Sequence, residues 1–199
     1  MTKPMQALRT LLSIAVLSGA IGLTACARDA TAPLKSATDA DKALLGATDQ
    51  TYTFIVNPAA DSPRLYFGAS YIVIPANSIC AIGTSTYGPS TWKDSCVPET
   101  LPVTIQATVH DAATKNPSVD FEPAMRFNPA VALPTLLFSV TNAATLNNMS
   151  VVKYCTSALL STTCVDESLT DAALVTTVDK WNNLVWRKIR HFSGYTVAE

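Results

Sequence analysis

The side chains able to do chemistry are few: five cysteines, two histidines and a scatter of carboxylates and tryptophans. Setting Cys26 apart for reasons given below, Cys80, Cys96, Cys155 and Cys164 form an even set. In an oxidising compartment an even set reads as disulfides. Three pairings are open. The sequence-local one, Cys80–Cys96 with Cys155–Cys164, staples a loop between strands in each case and is the one expected. A four-cysteine zinc site asks for Cys-x-x-Cys spacing, which these four lack, so no metal is expected. Asp120 and Glu122 stand two apart, where an extended chain turns both to one face, as paired acid–base carboxylates require. Two solvated carboxylates on the polar side of a strand account for them more simply. Asp166-Glu167 and Asp39-x-Asp41 read the same way and lack the spacing of a calcium loop. Trp92 and Tyr87 in one loop, and Trp181 and Trp186 near the end, are rings that either stack on a sugar or fill and rim a core. The signatures of serine hydrolases, zincins, P-loops and dinucleotide sites are missing, and no cofactor is expected.

The elements that must position these groups begin with a leader. Lys3 and Arg9 precede an uncharged apolar run from Leu11 to Leu23. It is about 13 residues long, short of the roughly 20 that span a bilayer as a helix. The run ends in Leu23-Thr24-Ala25-Cys26, which resembles the lipobox of bacterial lipoproteins. That resemblance implies removal of residues 1–25 as a signal peptide. It also implies acylation of Cys26 as the new N-terminus and mooring to the bacterial cell envelope through more than one acyl chain. Ala27 in place of Asp implies sorting to the outer membrane.

The chain carries 14 basic and 15 acidic residues, a net charge of −1. Losing Lys3 and Arg9 with the leader makes the mature form slightly more acidic, which excludes a nucleic-acid partner held by charge. Only 15% of residues are charged, against the usual ~25%. Residues 26–50 are polar and small, with Pro33 and one apolar pair, Leu44-Leu45. They read as a flexible tether with a coil span of about 25–30 Å.

From Thr51 the period becomes two. Tyr52, Phe54 and Val56 alternate with Thr51, Thr53 and Ile55. Arg64 to Phe67 and Tyr71 to Ile74 form a strand pair across Gly68, and Ile79 to Ile82 resumes after a turn. Gly83 to Thr100 is a long loop. Val103, Ile105, Ala107 and Val109 face one way, with Thr104, Gln106, Thr108 and His110 on the other. Val119 to Phe127 is a strand in which Pro123 marks an edge or a bulge. Leu133 to Val140 is a continuous apolar run, a strand buried on both faces. Val151 to Cys155, Leu174 to Val178, Leu184 to Ile189 and Phe192 to Val197 complete the set, with a helix over Ser168–Trp181 as the rival reading there. About ten short strands predict a mainly β domain over residues 51–199, an antiparallel β-sandwich.

Three stretches carry a resemblance: Ile72-Val73-Ile74-Pro75-Ala76-Asn77-Ser78-Ile79, Phe121 to Pro129 followed by Ala132-Leu133, and His191-Phe192-Ser193-Gly194-Tyr195-Thr196-Val197-Ala198. Together they resemble ZU5 domains, with Asn77 where that family's turn usually has Gly. The resemblance implies a β-sandwich interaction module. In some ZU5 domains His-Phe-Ser undergoes self-cleavage between Phe and Ser. Carried over, Ser193 attacks the Phe192 carbonyl with His191 as base. Otherwise Phe192 fills the core while His191 and Ser193 face solvent. The expectation is a lipid-anchored envelope module that binds an envelope protein or glycan. Self-cleavage at Phe192–Ser193 and carbohydrate binding through Trp92 are the rivals.

Overall fold

Each period-two run forms its strand because alternate side chains reach a common core while the others stay wet. The computed structural model describes residues 49–110, 117–141, 146–156 and 164–198. The leader, Cys26 and nearly all of the tether lie outside the described residues. The chain is mainly β, two five-stranded antiparallel sheets that make a β-sandwich. In chain order the strands are β1 (Gln50–Val56), β2 (Leu65–Phe67), β3 (Ser70–Val73), β4 (Val103–His110) and β5 (Ser118–Glu122). They are followed by β6 (Thr135–Ser139), β7 (Val151–Cys155), β8 (Thr177–Asp179), β9 (Leu184–Lys188) and β10 (Gly194–Ala198). One sheet runs β1-β4-β5-β10-β7 and the other β2-β3-β6-β9-β8.

β4 pairs β1 in a register from Gln50↔Val109 to Val56↔Val103. Val103, Ile105, Ala107 and Val109 are buried, and Thr104 and Gln106 are exposed. His110 departs from the expected solvent-facing set. It is buried, its imidazole lying between Asp49 at 2.9 Å and Asp120 at 3.0 Å, with Nε2 hydrogen-bonded to Asp120.

The central layer is aromatic. Phe67 meets Phe121 edge-on across the two sheets with ring centroids 5.6 Å apart. Phe121 stacks on Phe192 at 4.6 Å, and Phe127 meets Phe192 edge-on at 5.0 Å. The apolar run around β6 is buried as expected. Leu136, Leu137 and Phe138 are all covered because β6 is the middle strand of its sheet, flanked by β3 and β9.

Three expectations change. Pro123 marks neither an edge nor a bulge. β5 lies inside its sheet between β4 and β10 and ends at Glu122, because proline has no N–H for the next rung. Beyond it, only single bridges continue, Ile79↔Phe127 and Arg126↔His191, and Ile79 to Ile82 is likewise reduced to bridges. The rival helix over Ser168–Trp181 is replaced by two 3-10 turns, Glu167–Leu169 and Ala172–Leu174, and by β8. Asp166 and Asp171 each accept from the N–H two residues on, at 2.9 and 3.1 Å, so each turn is capped and begins afresh.

Cys80 is joined to Cys96 and Cys155 to Cys164, the sequence-local pairing. The first link spans 16 residues and the second 9. In the chain-entropy model, replacing Cys80 and Cys96 by Ala lowers unfolding free energy by about 3 kcal/mol, and the same change at Cys155 and Cys164 costs roughly 0.5 kcal/mol less. Urea unfolding of the two double variants measures both values; an unchanged midpoint for the first pair contradicts this account.

Candidate functional site

The long loop between Cys80 and Val103 is fixed from beneath by one cation. Arg126 is buried beside β5's end. Its Nε donates to the Thr86 carbonyl at 2.9 Å, and its Nη1 donates to the carbonyls of Thr91 and Asp94 at 3.1 and 2.5 Å. A planar guanidinium can hold several carbonyls at once, which an ammonium on a flexible stem cannot do in one plane. Asn128 Nδ2 adds a bond to the Cys96 carbonyl at 3.2 Å, and Glu99 accepts from the backbone N–H groups of Ile82, Thr100 and Leu101. Those three bonds hold the Glu99 carboxyl below the usual carboxylate range. The loop is therefore a built wall.

That wall delivers Trp92 onto His191, ring centroids 3.6 Å apart and nearly parallel. Tyr154 stands edge-on to both. Below lies a chain of buried polar groups. Arg187, on β9, points inward with Val185 and is 1% exposed. Its Nη1 donates to the Val152 carbonyl at 2.6 Å and its Nη2 to Glu167 Oε2 at 3.0 Å. Glu167 Oε1 lies 3.0 Å from His191 Nε2. Tyr195, on β10, donates its hydroxyl to the His191 carbonyl at 2.7 Å. The carboxylate fixes the tautomer: Nε2 carries the hydrogen and Nδ1 keeps its lone pair. Burial pushes the His191 pKa below its ordinary value, outweighing the carboxylate of Glu167, so the ring is neutral at pH 7. Burial likewise drives the Tyr195 hydroxyl well above the ordinary range.

The residues expected from sequence fall as follows. Phe192 fills the core as expected, and Ser193 is half-buried just before β10. His191 is not solvent-facing; it is fully buried in the polar chain, because Glu167 supplies the partner that burial demands. The Tyr87 hydroxyl donates to the Phe192 carbonyl at 2.6 Å. Asp120 is tied to His110, so Asp120 and Glu122 share a face without forming an acid–base pair. Glu167 is buried, not solvated, and Asp166 is a cap. Trp92 is only 9% exposed, and one ring face is covered by His191. Trp181 is 97% exposed at the β8–β9 turn. Among the described residues no His, Cys, Asp and Glu cluster suits a metal ion.

Two concavities flank the Trp92–His191 stack. A groove of about 870 Å³ is lined by Tyr87, Gln106, Asp120, Tyr154 and Ser193 among others. A second cavity of about 470 Å³ is lined by Trp92, Lys93, Tyr154, Leu174, Asp171 and Arg190 among others. Arg190 Nε donates to Asp171 Oδ2 at 2.5 Å. Burial works to raise the Asp171 pKa, but the bond from Arg190, the Ala173 N–H and the charges of Arg190 and Lys93 together hold it low. Sequence reasoning missed Arg126, Arg187 and Arg190. Of these Arg187 left a signal: it shares Val185's inward register position within an expected strand. No protein-family model, curated protein or solved structure matches this chain.

The buried neutral imidazole sets a pH dependence. The unfolded chain takes up the His191 proton near the ordinary value of 6.5, and the folded chain does so only at lower pH. In that window the unfolded state binds more protons, so stability falls as pH drops below 6.5 and stops falling on this account once the folded imidazole protonates. In His191→Gln, whose amide still reaches Glu167, this component is gone. Thermal unfolding from about pH 7.5 to about pH 5 checks it: the wild type loses more stability than the variant, and an equal loss contradicts the assignment.

Proposed function

We propose that this chain is a lipid-anchored module of the bacterial cell envelope that binds a ligand at the wall formed by residues 83–100. The leader and Leu23-Thr24-Ala25-Cys26 support acylation of Cys26, and the polar stretch after it supports a tether that lifts the sandwich off a membrane, the outer membrane by the residue at 27. The resemblance to ZU5 domains belongs to the same reading and fits the sandwich.

One observation carries the binding role. A loop of this length without regular strands or helices is uncommon in a compact domain unless it has work to do. Here it is held by a disulfide, by Arg126 on three carbonyls and by Asn128. A loop so restrained has already lost its conformational freedom, so a ligand does not have to order it. Both concavities share Tyr154 at this wall.

A second reading, self-cleavage between Phe192 and Ser193, is favoured by one contact. The Tyr87 hydroxyl polarises the Phe192 carbonyl at 2.6 Å, where negative charge would develop. Glu167 on Nε2 leaves His191 Nδ1 as the basic nitrogen, the reverse of the serine-hydrolase order, and Nδ1 lies 3.4 Å from the Tyr195 hydroxyl. In that reaction Ser193 Oγ bonds to the Phe192 carbonyl carbon and passes its proton, through the base, to the Ser193 nitrogen. The C–N bond breaks to leave an ester, and water then releases Phe192 as a carboxylate.

Expressed with its leader in a bacterial host, the wild type sediments with membranes and Cys26→Ser does not; two soluble proteins overturn the anchor. Immobilised in a non-ionic detergent, the wild type retains an envelope component that Tyr87→Ala loses, and retention of nothing by the wild type removes the binding role. Denaturing mass spectrometry separates the second reading: it requires a species ending at Phe192 that disappears in Ser193→Ala, and a lone species ending at Glu199 ends it.

A further inference from the structure

The smaller cavity has an imbalance between donors and acceptors. Its two carboxylates are occupied. Glu167 Oε2 receives Arg187 and Oε1 receives His191; Asp171 Oδ2 receives Arg190 Nε and Oδ1 receives the Ala173 N–H. Its donors are not. The Trp92 Nε1–H is buried and finds no hydrogen-bond partner among the described residues, and the same holds for Arg190 Nη1. Among the described residues, Lys93 Nζ makes one long bond of 3.4 Å, to the Thr170 carbonyl. Leaving a buried donor unpaired costs about 1–3 kcal/mol, so two at one cavity call for an explanation.

The charges balance. Lys93 and Arg190 line the cavity with Asp171 and Glu167, and behind them Arg187 faces both Glu167 and, at 3.9 Å, Asp166. An acid would therefore be drawn by the unpaired donors and not by a surplus of positive charge. The rest of the lining is apolar or aromatic: Pro89, Trp92, Tyr154, Val165 and Leu174. A volume of about 470 Å³ is that of a small-molecule site.

We propose that this cavity binds a small organic carboxylate, its acid group accepting from Trp92 Nε1–H, Arg190 Nη1 and Lys93 Nζ, and its apolar body resting against Tyr154 and Leu174. The proposal deepens the binding role given above and rests on it. Both orphan nitrogens are covered in this state, so access needs a rim side chain to swing aside. Lys93, on the lining of the cavity, is exposed and weakly held. Charge-assisted bonds to a carboxylate then replace two unpaired donors.

The test titrates isotope-labelled protein, in a non-ionic detergent, with sodium benzoate and sodium hexanoate, and with benzamide and hexanamide as neutral matches. A short peptide with a free terminal carboxylate, and its amide, shows whether the acid is a chain end or a free small molecule. The expected result is a saturable shift of the Trp92 indole N–H signal, with acids binding at least roughly tenfold tighter than amides. Lys93→Gln, an exposed change that leaves the fold alone, weakens the acids and spares the amides; Arg190→Gln does the same more strongly. No saturable shift with any acid, or equal binding of acids and amides, overturns the proposal. If that happens while the immobilised protein still retains its envelope component, the cavity's assignment fails alone; if nothing is retained either, the binding role fails with it.

Discussion

A buried arginine facing a buried glutamate holds the two sheets together at one corner. Arg187 comes from β9 in one sheet, the Val152 carbonyl from β7 in the other, and Glu167 from the turn between β7 and β8. Taking both charges out of water is costly, and the pair is tolerable only because nearly every donor and acceptor has a partner. Arg187 uses all three of its nitrogens, and Glu167 uses both of its oxygens. Remove the glutamate and a buried guanidinium is left with two carbonyls and, at 3.9 Å, Asp166. Such a constraint fixes geometry more than it adds stability: it admits one placement of the 3-10 turns and one tautomer of His191.

This constraint also explains why residues 166–174 do not form the helix that their composition allows. A helix would carry Asp166, Glu167 and Asp171 around its surface at fixed angles. The network needs Glu167 inside while Asp166 and Asp171 turn back on their own backbones. Two separately capped 3-10 turns meet that demand. The second then presents Asp171 to Arg190, which ties the turn to the segment entering β10. Local hydrogen bonding from the aspartates, coupled to one buried tertiary contact, prevails over helix propensity.

The strands were legible because their signal is one-dimensional. Val103 to Val109 alternates, Leu133 to Val140 does not, and those two patterns separate a half-wet strand from a middle strand. The local disulfide pairing was legible for a similar reason, since short gaps across loops are easily closed. The polar interior was not. Glu167 and His191 read as solvent-facing, and Arg187 was missed, because each is buried in company with a residue far along the chain: 20 and 24 positions away for Glu167's partners. No window of local sequence contains both halves of such a pair. Pro123 misled in a milder way, since proline forbids the next rung but does not say whether the strand lies at an edge or merely ends.

The two functional readings place opposite demands on the same ring. As a pillar, His191 must stay neutral, stacked under Trp92 and bonded to Glu167, and burial arranges this. As a base, it must accept a proton in that same buried place, beside an arginine that disfavours a second positive charge. Glu167 eases the second demand, since its carboxylate stabilises an imidazolium as well as orienting the neutral ring. Yet Glu167 already pairs closely with Arg187, whose other carboxylate, Asp166, is 3.9 Å off, so Glu167 would be shared between two positive charges in a dry corner. The ligand-binding role needs no such protonation. It needs Trp92 held rigid beside the cavity it lines, and the His191 stack and Arg126 clamp provide that rigidity. The electrostatics of the corner therefore favour a site that waits for an acceptor over one that moves a proton.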